Sequence, residues 1–171
     1  MSNVEAPVAA AVVVPGLEGL AMSRGFLKML LEGLTAEQMM TRPCAKGNHG
    51  MWIMGHIAWT DDSFLQGLGG QASGIPASWN GLFGMKSEPS DDASAYPSRD
   101  ELMGAMEDRR AALVAWLSGL NEAELIKPIE GDMAQFARTL AQVPSSLAFH
   151  EGMHAGQLSM ARRAAGLAPM F

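Results

Sequence analysis

Residues 145–165 read SSLAFHEGMHAGQLSMARRAA, and this stretch decides the fold. Pro144 just before it suits the first turn of a helix, and Gly166 just after it suits a C-cap, with Pro169 beyond. The spacing therefore predicts a last helix over about residues 145–165. Within it His150 and His154 stand four residues apart. At about 100° per residue, four steps bring two side chains to the same face, one turn above the other.

Working outward, three more helical stretches have the same character. Leu20, Leu27, Leu30, Leu31 and Leu34 form one wide apolar stripe from Leu17 onward, ending at Gly33 and Thr35. Thr35-Ala36-Glu37-Gln38 has capping-box form. Trp52, Ile53, His56, Ile57, Thr60 and Phe64 recur at spacings of three and four, predicting a second helix from His49 or Gly50 to about Leu68. Ser98-Arg99-Asp100-Glu101 is another capping box, and opens a third. Its inner stripe is Leu102, Met106, Leu113, Leu117 and Leu120, with Arg109 and Arg110 outside it or at its edge. No run alternates at period two for long enough to claim a sheet. The expected class is all-α: a four-helix bundle, with a long crossover over residues 67–97 between helices 2 and 3. Residues 121–143 read as a connector, with a short helix after Asp132.

Composition bounds the function. The chain has 171 residues, enough for one domain with a sizeable core. Residues 1–16, rich in Ala, Val and Pro, read as a loose N-terminal arm, and 17–171 as a single helical domain. The net charge of −6 argues against a nucleic-acid partner. The single Cys44 excludes an intramolecular disulfide and any CxxC site. No stretch reads as a membrane span, and the N-terminus has no Lys or Arg before Arg24 to start a secretory signal. A cytoplasmic protein without a membrane partner is expected.

The chain has four histidines. His56 lies mid-helix, and if the second and last helices are neighbours it closes a three-His set with His150 and His154. Three neutral imidazole nitrogens suit zinc, nickel, iron or copper and leave coordination positions open. The bland alternative is a set of core histidines satisfied by ordinary hydrogen bonds. His49, at a helix start, reads as a surface or capping residue. His150-Glu151-Gly152-Met153-His154 also matches the H-E-x-x-H pattern of zinc hydrolases. The 17 residues after His154 hold no His, Asp, Glu or Cys to act as third ligand, and Glu151 points about 100° away from His150. Glu151 thus reads as a residue behind the ligands or on the surface, and Asp61 and Asp62 as exposed or helix-packing charges. The 14 methionines read as core filler, as do Trp52, Trp59 and Trp116, while Trp79 lies in the crossover, over the site or a partner surface.

Gly55-His56-Ile57-Ala58-Trp59 together with HEGMHAGQLSMARRAAGL resembles the DinB-like superfamily over about residues 17–168. The resemblance implies a four-helix bundle with metal ligands at His56, His150 and His154. It implies a divalent ion, zinc or nickel, and a small-molecule substrate. Some members are thiol-dependent S-transferases or isomerases that use mycothiol, bacillithiol or glutathione, and members commonly form homodimers. Where the family often has a basic residue after its last His, this chain has Ala155. The expected function is a metal-dependent enzyme, with a thiol S-transferase in first place. The alternatives are a metal- or ligand-binding bundle without turnover and an H-E-x-x-H hydrolase.

Overall fold

The computed structural model describes residues 8–170, with side chains from residue 13 onward. Four long helices form around the four apolar stripes: α1 (Val8–Leu31), α3 (Gly50–Gly67), α5 (Arg99–Ser118) and α7 (Val143–Ala164). Three single-turn helices lie in the connections: α2 (Ala36–Met39), α4 (Trp79–Phe83) and α6 (Glu122–Leu125). Among the described residues the β structure is one isolated bridge, between Pro128 and Thr139.

The termini obey the local rules. Thr35 and Ser98 each form a full capping box, with Gln38 and Glu101 returning the bond to the cap's backbone N–H. Asn121 and Glu124 do the same for α6. Gly33 and Gly166 follow α1 and α7 at φ +72° and +82°, a backbone region costly for any side chain. The connector over residues 121–143 carries α6 and two 3-10 turns, Gly131–Gln135 and Leu140–Gln142, rather than one short helix.

One expectation changes. Residues 8–16, which the sequence predicts as part of a loose arm, form the first turns of α1, and residues 1–7 lie outside the described residues. Pro15 sits inside the helix and removes one backbone donor. Tertiary packing outweighs that loss. Val13 is buried, and Gly16 lies so close to α7 that a Cβ there would stand 3.1 Å from Pro144 Cβ.

Hydrogen bonds at the helix ends give the directions. Arg162, late in α7, donates to the Leu30 and Glu32 carbonyls at the end of α1, while Gly16 faces Pro144 at the other end, so these two helices run parallel. Arg99, at the start of α5, donates to the Leu31 and Leu34 carbonyls, so α5 runs opposite to α1. Leu102 and Met106 share a core with Met54 and Ile57, while Leu113 and Leu117 share another with Phe64 and Leu65. That places α3 parallel to α5, and the crossover between them spans the bundle from end to end.

Those two apolar cores are separated by a buried ionic layer. Arg24, Asp61, Arg110 and Glu151, one from each long helix, are at most 8% exposed. Arg110 donates to Asp61 at 2.9 and 3.2 Å and to Glu151 at 3.0 Å. Arg24 pairs with Glu151, with Asp61 at 3.2 Å, and with the Met106 carbonyl at 2.7 Å. Arg110 is therefore a core residue rather than one at the edge, and Asp61 is the helix-packing charge of its two readings, not the exposed one. Burial pushes the Asp61 carboxyl upward, against the pull of Arg110 and Arg24. Burial would lower Arg110, but the Asp61 and Glu151 carboxylates outweigh it and hold the guanidinium above its ordinary value. We take the ionised state for both, because each Asp61 oxygen accepts from a guanidinium nitrogen. Asp62 is buried as well. It accepts from Gln66, from Ser73 and from the Gly74 N–H, and so anchors the start of the crossover to α3.

The crossover then folds back on α3 through α4. Trp59 Nε1 donates to Asn80 Oδ1 at 2.8 Å. The Phe83 ring, fully buried, lies on the bare backbone of Gly55, where a Cβ would stand 2.2 Å from a ring carbon. Gly55→Ala is therefore expected to lower stability. Overpacking costs about 1–3 kcal/mol, and a contact that short against a fully buried ring belongs at the upper end, above the ~1 kcal/mol that alanine gains over glycine in a helix. Thermal melting tests this: a midpoint below wild type is expected, and an equal or higher one contradicts the packing.

Candidate metal centre

His56 comes from α3, and His150 and His154 come from α7. The structure brings all three sequence-predicted histidines together. One ring nitrogen from each lies within 4.8 Å of the others. His150 Nε2 stands 3.2 Å from His56 Nε2 and 3.2 Å from His154 Nε2. His56 and His154 are buried, and His150 is half-buried.

The remaining ring nitrogens fix the tautomers. His56 Nδ1 faces the Phe83 carbonyl at 2.7 Å, and a carbonyl only accepts, so Nδ1 carries the hydrogen. His154 Nδ1 faces Gln157 Oε1 at 3.0 Å, and that oxygen also accepts from Asn48 Nδ2 at 2.9 Å. Both Nε2 atoms therefore present lone pairs to the centre of the trio. A single hydrogen on His150 Nε2 could satisfy one of them. At least one buried lone pair is left facing another nitrogen, an arrangement that a cation resolves. Hydrogen bonds from the outer ring nitrogen to a carbonyl or amide oxygen are how metal-binding imidazoles are oriented. The donor set thus fits a divalent ion with affinity for nitrogen.

The electrostatics agree with neutral rings. Burial pushes His56 down to about 4, against the Phe83 carbonyl, and the neighbouring His150 lowers it further. Burial pushes His154 down to about 3, and His56 and His150 add to the shift. His150 is lowered by burial too. Neutral imidazole is the ligand form. The Trp52 indole lies over the His56 ring at 4.5 Å between centroids and 11° between planes, fixing that ring's tilt. Trp79 lies in the crossover as expected, and its ring is buried against Phe83 rather than presented on an outer surface.

His49 does not join the cluster. It caps α3: its Nδ1 accepts from the Trp52 N–H at 3.2 Å, and its Nε2 donates to the Ser90 carbonyl at 3.0 Å. The capping reading holds, but the ring is fully buried rather than on the surface. Glu151 also stays out. It is fully buried, with its oxygens bonded to Ser23, Arg24 and Arg110. A carboxylate so held cannot serve as the free base that the H-E-x-x-H pattern requires. Sequence reasoning missed the Phe83 carbonyl, and gave Gln157 and Asn48 no role. Gln157 was detectable, standing three residues after His154 on the same helix face.

Beside the trio, with His56 and His150 in its wall, is a cavity of ≈170 Å³. Trp59, Phe64, Met85, Met133, Phe136 and Leu147 supply its apolar lining. His154 is not part of that wall.

The lowered His values set a pH dependence for the metal-free protein. Below about 6.5 the unfolded chain takes up protons on His56 and His154. The folded chain resists them until about 4 and about 3. The unfolded state then binds more protons, so stability falls as pH drops through that window. In chelator the melting midpoint is expected to fall from pH 7 to pH 4, and to fall less steeply in His154→Asn. A midpoint that is flat or rising on acidification contradicts the burial of these rings as neutral groups.

A search of the curated proteins finds no match to this sequence. Among solved structures, the crystal structure of a conserved protein from Enterococcus faecalis superposes with a TM-score of 0.70 at 18% identity. The match covers 91% of this chain and 98% of that one, and at this identity it establishes the fold. The model of the DinB superfamily matches residues 20–158, a span that takes in every residue of the His trio and of the ionic layer. The chain belongs to the DinB superfamily.

Proposed function

We propose that this chain is a divalent-metal-dependent enzyme in which His56, His150 and His154 hold zinc or nickel, and in which a thiol serves as the nucleophile of an S-transfer reaction. The observation that carries the reading is the convergence of the three Nε2 atoms while His56 Nδ1 and His154 Nδ1 are tied to oxygen acceptors. A cation bound there favours a thiolate over a thiol, and the thiolate is the attacking form.

The surroundings favour a thiol over water. A thiol has an ordinary pKa of about 8.5, while water stands at about 15.7. Among the described residues no carboxylate lines the cavity, and the buried ones have other partners: Asp61 and Glu151 hold Arg24 and Arg110, and Asp62 holds Gln66, Ser73 and the Gly74 N–H. Among the described lining residues no carboxylate stands ready to take a proton from water, so activation falls to the ion alone, and a thiol starts from the lower pKa. The chain's own contribution is positional. The Phe83 carbonyl and Gln157 aim the rings, Trp52 clamps His56, and an apolar wall stands beside His56 and His150.

Elemental analysis of purified protein is expected to find one zinc or nickel per chain, lost in His56→Ala and in His154→Ala. Metal-loaded protein is expected to consume at least one of glutathione, bacillithiol or mycothiol in the presence of small electrophiles, and the variants to lose that activity. Absence of stoichiometric metal contradicts the site. Stoichiometric metal with no consumption of any of the three thiols assigns binding alone and contradicts the transferase reading.

A further inference from the structure

The cavity beside the His trio has a chemistry of its own. Three hydroxyl side chains reach its wall, and each has already spent its hydrogen on a backbone carbonyl. Thr60 Oγ1 donates to the His56 carbonyl at 2.8 Å, Ser63 Oγ to the Trp59 carbonyl at 2.8 Å, and Ser146 Oγ to the Phe136 carbonyl at 2.6 Å. His56 Nδ1, the protonated nitrogen of that ring, is turned to Phe83. No Lys, Arg, Asp or Glu is among the lining residues. The wall is therefore aromatic and thioether surface with acceptor lone pairs and no charge.

Such a wall discriminates strongly. In the metal-free protein a carboxylate or phosphate brought into it would lose its water and find no Lys or Arg side chain to pair with, a cost of several kcal/mol. An uncharged hydrocarbon loses nothing by the same transfer and gains burial. The size is informative as well. A dry cavity of about 150 Å³ accepts benzene, and this one is ≈170 Å³. One side of the cavity is rigid, made by α3 and α7. The other is made by Met85 and Phe136, which are 59% and 39% exposed and stand in the crossover and in the connector before α7. Methionine and a half-exposed ring can adjust to the shape of an occupant.

We propose that this cavity binds the apolar part of the substrate, an uncharged group the size of one six-membered ring, and holds it against His56 and His150. The inference deepens the functional reading above and rests on it for the word substrate; the binding site itself stands on the cavity alone. A polar thiol such as glutathione, with its carboxylates, then has to approach the trio from outside this cavity, and the ring-sized group is the electrophile's.

Calorimetric titration with toluene and with benzoate separates the possibilities. Metal-free protein, prepared by dialysis against chelator, is expected to bind toluene at one site per chain and benzoate at least tenfold more weakly. Metal-loaded protein is expected to bind toluene too. Ser146→Trp places an indole in the cavity and is expected to abolish toluene binding while leaving the helical circular dichroism unchanged. Ser63→Trp fills the cavity from α3 and serves if the first variant does not fold. Toluene that does not bind, benzoate that binds as tightly, or toluene binding unchanged in the filled variants overturns the proposal. The last of these results moves the ligand elsewhere, for instance to the groove between α1 and α7 lined by Gly19, Gly152 and Gly156. Because toluene binding is expected without metal, loss of the metal reading leaves this result standing. Failure to bind toluene by protein that does hold metal sinks this inference alone.

Discussion

The bundle turns on a layer of four charges where a bundle ordinarily has leucine. Arg24, Asp61, Arg110 and Glu151 each occupy a core position of one long helix, and together they sum to zero. Removing such ions from water costs several kcal/mol apiece, and the attraction between them repays the cost only when the geometry is good. Here the carboxylates accept from both guanidinium groups, and the spare donors find the Met106 and Leu20 carbonyls. Apolar side chains tolerate a helix sliding past its neighbour. A four-way ionic contact does not, since one turn of slippage would strand buried charges at a cost of about 3–5 kcal/mol for each broken pairing. The layer therefore fixes the height of all four helices relative to one another.

The His trio depends on that registration. Glu151 directly follows His150 in α7, and Asp61 lies five residues after His56 in α3. Tying the two carboxylates to the same arginines sets the level at which the imidazoles meet. The crossover adds the second constraint. Gly55 lets Phe83 lie flat on α3, and the carbonyl of that residue then orients His56. On α7, Gln157 does the same for His154 from within one turn. The two helices that carry the histidines thus orient them by different means, one through a long loop that spans the bundle and one through local helix geometry.

Much of this was legible in the residues. Thr35 and Ser98 announced helix starts through capping boxes, and Gly33 and Gly166 announced helix ends, because these signals are local and chemical. The i, i+4 spacing of His150 and His154 placed them on one face, and the mid-helix position of His56 supplied the third nitrogen. The ionic layer was also written in the sequence, since Leu20-Arg24-Leu27 and Met106-Arg110-Leu113 keep core spacing through the charge. A charged residue in an apolar stripe was read as an edge position because its partners lie on other helices, and no single stretch shows them. The start of α1 was missed for a related reason. Pro15 and Gly16 are local breakers, and only the packing of Val13 and Gly16 in the folded bundle overrides them. The Phe83 carbonyl was beyond reach, because a backbone acceptor carries no residue-type signal.

The account stands on three imidazole Nε2 atoms converging on a common point. Anomalous diffraction at the zinc and nickel edges, from crystals grown without chelator, tests it most directly. A single peak bonded to the Nε2 atoms of His56, His150 and His154, at about 2.0–2.1 Å if the ion is zinc, is the predicted result. No peak at that point in metal-replete crystals, or an ion held through other atoms while these rings bond only one another, would contradict it.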